Sequence, residues 1–177
     1  SLQRLIMGGD GAEYTVRSSS LDEPITTTNF NLKATTTQGS AHVDPIKIDS
    51  TGLYVQKSGS RLFELSIAND RAAIDYGGID LTQLVPEVGE PSIVRTAVQR
   101  QPDTRVHCIR SDGVAAVLIF DRTENTLCWC EVETDGLIED VVVLPGTTED
   151  AVYYVVNRTI NGATKRYVEK WALQSEC

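Results

Sequence analysis

Val106-His107-Cys108-Ile109-Arg110-Ser111-Asp112-Gly113-Val114-Ala115-Ala116-Val117-Leu118-Ile119-Phe120 reads as two β-strands around a tight turn. Val and Ile recur in both arms and Phe120 ends the second, and β-branched and aromatic side chains suit a pleated, buried surface. Asp112-Gly113 supplies the turn, because glycine adopts the left-handed backbone that a short hairpin needs. The same device recurs along the chain. Strand-like arms over 4–7 and 13–16 flank Gly11, arms over 53–56 and 61–65 flank Gly59, and arms over 153–158 and 165–171 flank Gly162. A period of roughly fifty residues with several strands per unit is the signature of β-propeller blades.

The expected fold is therefore all-β: repeated antiparallel sheets of a β-propeller type, forming one propeller-like segment with units 1–43, 44–91, 92–136 and 137–177. The third unit is the most regular, with strands over 92–99, 105–110, 114–121 and 126–133. The last unit holds three strands, over 137–144, 151–157 and 163–173, with Asn161-Gly162 as its hairpin turn. The first reads as a hairpin followed by a threonine-rich exposed strand carrying Thr26 to Thr28 and Thr35 to Thr37. Residues 68–91 depart from the pattern and read as a loop with a short helix over 80–84, capped by Asp80 and stopped by Pro86. Leu53, Val55, Leu62, Ile109, Leu118, Phe120, Val142, Val155 and Trp171 are the expected core. A closed propeller needs at least four complete blades, so the set is expected to be incomplete. The opening Ser1-Leu2 and the end at Cys177 read as those of a segment cut from a longer chain.

Charge argues against one large class of partner. Asp and Glu number 25 against 16 Lys and Arg, a formal net charge of −9. Nucleic-acid binders concentrate basic residues, because phosphate neutralisation supplies most of the affinity. Here they are scattered, as at Arg95, Arg100, Arg105 and Arg110, so no tight nucleic-acid binding is expected. No apolar run has membrane-spanning length and the start does not resemble a signal peptide, so no membrane partner is expected.

The residues that could carry chemistry are dispersed. Cys128 and Cys130 flank Trp129, and strand alternation puts both sulfurs on one face. A thiolate site with Cys108 is one reading; buried thiols acting as small hydrophobes is the preferred one, because zinc-loop spacings are missing and His107 and Cys108 point to opposite faces. His42 and His107 are isolated, with His107 read as a residue at a sheet surface. Asp44, Asp49, Asp75 and Asp80 fall between units without the alternating pattern of a calcium loop, and read as turn residues. Gly8-Gly9-Asp10-Gly11 has no helix pattern or lysine behind it and reads as a hairpin rather than a phosphate loop. Asn157-Arg158-Thr159 is a formal glycosylation sequon inside an expected strand. No catalytic or metal-ligating residue and no cofactor is assigned, and the binding residues are left open.

The order of several short stretches is more informative. Gly52-Leu-Tyr-Val-Gln-Lys-Ser-Gly-Ser-Arg-Leu-Phe-Glu-Leu65 is followed by Ile79-Asp-Leu-Thr, Gln101-Pro-Asp-Thr and Arg110-Ser-Asp-Gly. Cys128-Trp-Cys, Thr134-Asp-Gly, Asn157-Arg-Thr-Ile-Asn-Gly and Arg166-Tyr-Val-Glu come after. Together, from Leu2 to Trp171, they resemble the propeller-bearing tail hub or nozzle proteins of short-tailed bacteriophages, including the DNA-stabilisation proteins that plug the head–tail channel. The resemblance implies a structural virion protein, not an enzyme, made in the bacterial host cytoplasm and located in the virion tail. It implies a homo-oligomeric ring, commonly six-fold, below the portal, with other tail and portal proteins as partners and DNA passing through it. One departure is that Cys130-Glu131 follow Trp129, where the family usually carries an aromatic-then-basic pair. The alternative expectation is a β-propeller module that recognises a host-surface glycan or protein.

Overall fold

Each unit of the sequence folds into one antiparallel meander. The computed structural model describes residues 4–19, 23–70, 73–121, 124 and 126–176. Sheet I is β1 (Arg4–Gly8), β2 (Glu13–Arg17) and β3 (Asn31–Thr36). Sheet II is β4 (Ile46–Ile48), β5 (Thr51–Val55), β6 (Leu62–Asp70) and β7 (Ala73–Asp80). Sheet III is β8 (Ile93–Gln99), β9 (Arg105–Arg110), β10 (Ala115–Asp121) and β11 (Thr126–Val132). Sheet IV is β12 (Leu137–Leu144), β13 (Ala151–Ile160) and β14 (Ala163–Lys170). Every neighbouring pair is antiparallel and follows chain order. The protein is all-β, as expected, and short 3-10 turns at Pro86–Gly89 and Gln174–Glu176 are its helical elements among the described residues. None of these is long and apolar enough to cross a membrane.

The sheets pack in chain order, I on II, II on III and III on IV, with the first strands β4, β8 and β12 beside one another. Alternation along β9 and β10 decides this packing. Val106, Cys108, Ala116, Leu118 and Phe120 face sheet II and close on Leu53, Val55 and Leu62. Ile109 and Ala115 face the other way, onto Ile138, Val152, Tyr154 and Val156 of sheet IV. Sheet III is thus covered on both faces, which is why its two central strands are buried nearly residue after residue. A smaller cluster of Tyr54, Phe63 and Leu65 occupies the opposite face of sheet II. Gly113 shows how closely the last two sheets meet. Its φ is +85° and a Cβ there would lie 2.8 Å from Leu137, so the hairpin tip leaves no room for a side chain. Gly59 and Gly162 share the positive φ; Gly11 does not, so the first turn is built differently.

Several expectations are corrected. The stretch after residue 68 is not a loop: β6 continues to Asp70 and pairs with β7 over eight register positions from Phe63↔Asp80 to Asp70↔Ala73. Ladder formation outweighs the poor strand propensity of Gly77 and Gly78. The short helix over 80–84 is instead a turn, in which Asp80 Oδ1 accepts from the Thr82 N–H at 2.8 Å and the Thr82 hydroxyl at 2.6 Å. Val142 is 48% exposed rather than core, because a bulge between Ile138 and Asp140 shifts the alternation and turns Val141 and Val143 inward. Val155 is half-buried for the related reason that Val152, Tyr154 and Val156 hold the inward positions of β13. The other expected core residues are buried, apart from Trp171, which packs half-buried against sheet IV's cluster.

Leu118→Ala removes a fully enclosed side chain between sheets II and III and is expected to destabilise the protein by about 2–5 kcal/mol in urea titration. Val142→Ala is expected to change stability by less than about 1 kcal/mol. Equal losses at the two positions contradict the bulged register.

Candidate functional site

Two places bring polar chemistry together, and their environments are opposite. The first lies between sheets III and IV. His107 is fully buried, not at a surface, because odd-numbered residues of β9 face sheet IV. The Gln99 side-chain amide donates to the Gln101 carbonyl at 2.9 Å, which leaves its oxygen facing His107 Nε2 at 3.3 Å. The Nε2 position therefore carries the imidazole proton, and Nδ1 accepts from the Tyr154 hydroxyl at 2.8 Å. Trp171 closes the group edge-on, with its ring 5.1 Å from His107. Burial, with the Arg105 charge second, pushes the His107 pKa down to about 4. Burial likewise raises the Tyr154 phenol well above its ordinary value. A neutral imidazole with both nitrogens engaged and no solvent exposure is a structural group that satisfies a polar residue inside a core.

The second place is the junction of sheets I and II. A cleft of about 990 Å³ opens between β1 on one side and β4, β5 and the connection over 40–45 on the other. Ile6, Ile46, Leu53 and Leu65 give it apolar walls. Glu13 lines it too, although only 1% of its surface is exposed. Its carboxylate accepts from the Ser40 hydroxyl at 2.8 Å and from the Thr36 hydroxyl, and its carbonyl accepts from Thr35 at 2.9 Å. Thr36 lies 3.4 Å from the Tyr54 hydroxyl, whose pKa burial pushes up to about 12. Gly8 makes the arrangement possible. It sits opposite Glu13 in the ladder, and a Cβ there would lie 2.5 Å from Ser40 Oγ. Lys57, on the cleft rim, is already paired with Asp10 at 2.7 Å. Among the described residues no cation comes within ion-pair distance of the Glu13 carboxylate, so hydroxyls alone hold this buried group.

The residues weighed from the sequence are not brought together. Cys108 is buried in sheet III, where burial pushes its thiol up to about 12. Cys128 and Cys130 lie exposed on edge strand β11, with β10 between them and Cys108, so they are not the buried hydrophobes expected. Cys177 falls outside the described residues. Asp44 and Asp49 are exposed, Asp75 lies within β7, and Asp80 pairs with Arg61 at 3.4 Å. No cluster of metal-binding side chains occurs among the described residues. Trp129 is anchored by a 3.0 Å bond from its indole N–H to the Leu81 carbonyl, and Asn157 lies inside β13 and donates to Glu139. The sequence reading missed Glu13. The available signal was the cluster of hydroxyls at Thr35 to Thr37, which were assigned to a merely exposed strand. No protein-family model matches the chain, and comparison with curated proteins found no match.

The His107 group carries a pH prediction. Its folded pKa lies below the ordinary 6.5, so the unfolded chain binds its proton more readily. Its contribution is fully present above about pH 6.5 and is lost as pH falls toward about 4, with a limiting size of about 3 kcal/mol. Asp112, Glu139, Asp150 and Glu169 also have lowered pKa values, and their contributions disappear at more acidic pH. Urea titrations between about pH 6.5 and pH 4.5 are expected to show the loss in the native protein and a flatter profile in His107→Asn. A histidine NMR titration that places His107 near its ordinary pKa contradicts the buried neutral assignment.

Proposed function

We propose that this chain is a structural component of a bacteriophage virion tail, a propeller-type hub or nozzle module below the portal that contributes to the DNA channel and to tail assembly. The observation that carries the reading is the succession of four meander sheets packed in chain order, with β4, β8 and β12 side by side. Blades of a propeller are arranged in this way, with their first strands around a common axis. The resemblance of the Gly52 to Glu169 stretches to tail hub and nozzle proteins supplies the virion context. A homo-oligomeric ring and contacts with other tail proteins follow from that resemblance.

The charge distribution supports passage rather than capture of DNA. Arg95, Arg100, Arg105 and Arg110 each have a carboxylate within ion-pair distance, at Asp140, Asp49, Asp103 and Asp112 respectively. Their positive charge is spent locally, and the net −9 leaves a surface that repels phosphate at short range. The cleft at Glu13 favours a second reading, a module that binds a partner protein or glycan. Its apolar walls and single buried carboxylate suit a polypeptide better than a sugar.

Peptides of this chain are expected in purified, nuclease-treated virions of the source phage by mass spectrometry. Their restriction to extracts of infected cells overturns the tail reading. In an electrophoretic shift assay at about 50 mM salt the purified chain is expected to leave duplex DNA unshifted at micromolar concentration. Sub-micromolar, salt-sensitive binding overturns the repulsive wall.

A further inference from the structure

We infer that the cleft between sheets I and II is a receptor for an extended segment of a partner polypeptide, which adds a strand to the free edge of β1 and places a Lys or Arg side chain on Glu13. This inference is independent of the virion context. It rests on three features of one place in the fold.

The first is the edge. β1 pairs with β2 alone among the described strands, so the backbone groups along its other side have no ladder partner there. Proteins usually protect such edges with charge, proline or a bulge, because a bare edge recruits any strand that meets it. β14, the terminal strand at the opposite end of the stack, follows that rule with Lys165, Arg166, Glu169 and Lys170 in its eight residues. β1 has a single charge, Arg4 at its start; Leu5-Ile6-Met7-Gly8 carries none, and Leu5, Ile6 and Met7 are all about 40% exposed. An edge that is apolar over four of its five residues is suited to strand addition.

The second feature is room. The space beside β1 is lined by Leu5, Ile6, Ile46, Leu53 and Leu65, so alternate side chains of an added strand meet apolar walls. Ile6 reaches within about 4 Å of where a Cβ at Gly52 would stand, so the cleft narrows on side-chain contacts between the two sheets.

The third is charge. A buried carboxylate normally has a cation or several strong donors. Glu13 has the Thr36 and Ser40 hydroxyls on its carboxylate and the Tyr54 hydroxyl close by, all of them uncharged donors, and Lys57 is held by Asp10. A Lys or Arg side chain arriving with the partner strand supplies the missing counter-charge. Acidic segments are rejected by the same carboxylate, so one residue gives both affinity and selectivity.

The test is selection from a library of random peptides of about ten residues on the purified chain, followed by anisotropy measurements with the selected peptides. The expected result is a Lys or Arg between apolar residues two positions to either side, with slowed hydrogen exchange along Arg4–Gly8 in the complex. Glu13→Gln removes the charge while its amide accepts from one hydroxyl and donates to the other. It is expected to weaken binding about thirtyfold, with the slowed hydrogen exchange along Arg4–Gly8 lost and the rest of the fold's exchange pattern kept. Charge reversal of the selected peptide from Lys to Glu is expected to abolish binding. Ile6→Lys, which leaves Glu13 in place, blocks strand addition. The inference is overturned if selected peptides share no basic position, or if Glu13→Gln binds them equally well. It is overturned also if the chain self-associates through this edge, with Ile6→Lys restoring the monomer, since the occupant is then a second copy. Failure of the virion proteomics would leave these outcomes untouched.

Discussion

Two-sided burial of sheet III is the constraint on which the rest of the structure depends. Because side chains alternate along a strand, β9 and β10 must supply two different apolar faces from one sequence. Val106, Cys108, Leu118 and Phe120 serve the interface with sheet II, and Ile109 and Ala115 serve the interface with sheet IV. A slip of one residue would exchange the faces and drive His107 into the first core. The register is therefore pinned from both sides. His107 is the polar exception in this arrangement, and it explains why Gln99 on β8 and Tyr154 on β13 are buried beside it.

Much of this was legible in the chain. Sheet III was readable because β-branched arms, an Asp-Gly turn and period-2 alternation all agree over 105–121. The pairing of β6 with β7 was not. Gly77, Gly78 and three aspartates give 70–80 the composition of a loop, and only the partner strand makes it a ladder. The bulge in β12 was invisible for a different reason. Val141, Val142 and Val143 are identical in type, so no local pattern says which of them faces in. The Glu13 site is less legible still. Glu13, Thr36 and Ser40 are brought together by a turn, a strand and a loop, and none of the three is unusual where it stands in the sequence.

Electrostatics divide the molecule along similar lines. Arg110 is enclosed by Asp112 at 2.6 Å and by Glu131, and its guanidinium holds the Asp112 carboxyl below its usual range. Arg158 with Glu169, and Arg166 with Glu139, tie sheet IV together in the same way. These pairs are partly exposed, so each contributes little stability. Their main consequence is that the basic side chains nearest the sheet surfaces are already occupied. Excess negative charge is then left for the loops and rims, Asp44 among them.

The three junctions of the stack are not equivalent, and the difference bears on function. Sheets II–III and III–IV meet through broad apolar clusters, whereas sheets I and II meet through a small aromatic cluster, a set of hydroxyls around Glu13 and an open cleft. Less apolar area is buried at the last junction, so sheet I is the part of the fold held least firmly. Leu5, Met7 and Leu32 stay exposed on it. A junction of that kind is a poor place to store stability and a good place to receive a partner, because an incoming strand can bury surface that folding alone leaves open. Sheets II to IV are thus joined by two continuous apolar interfaces, and the sheet that carries the largely apolar β1 edge is joined to them by a smaller one.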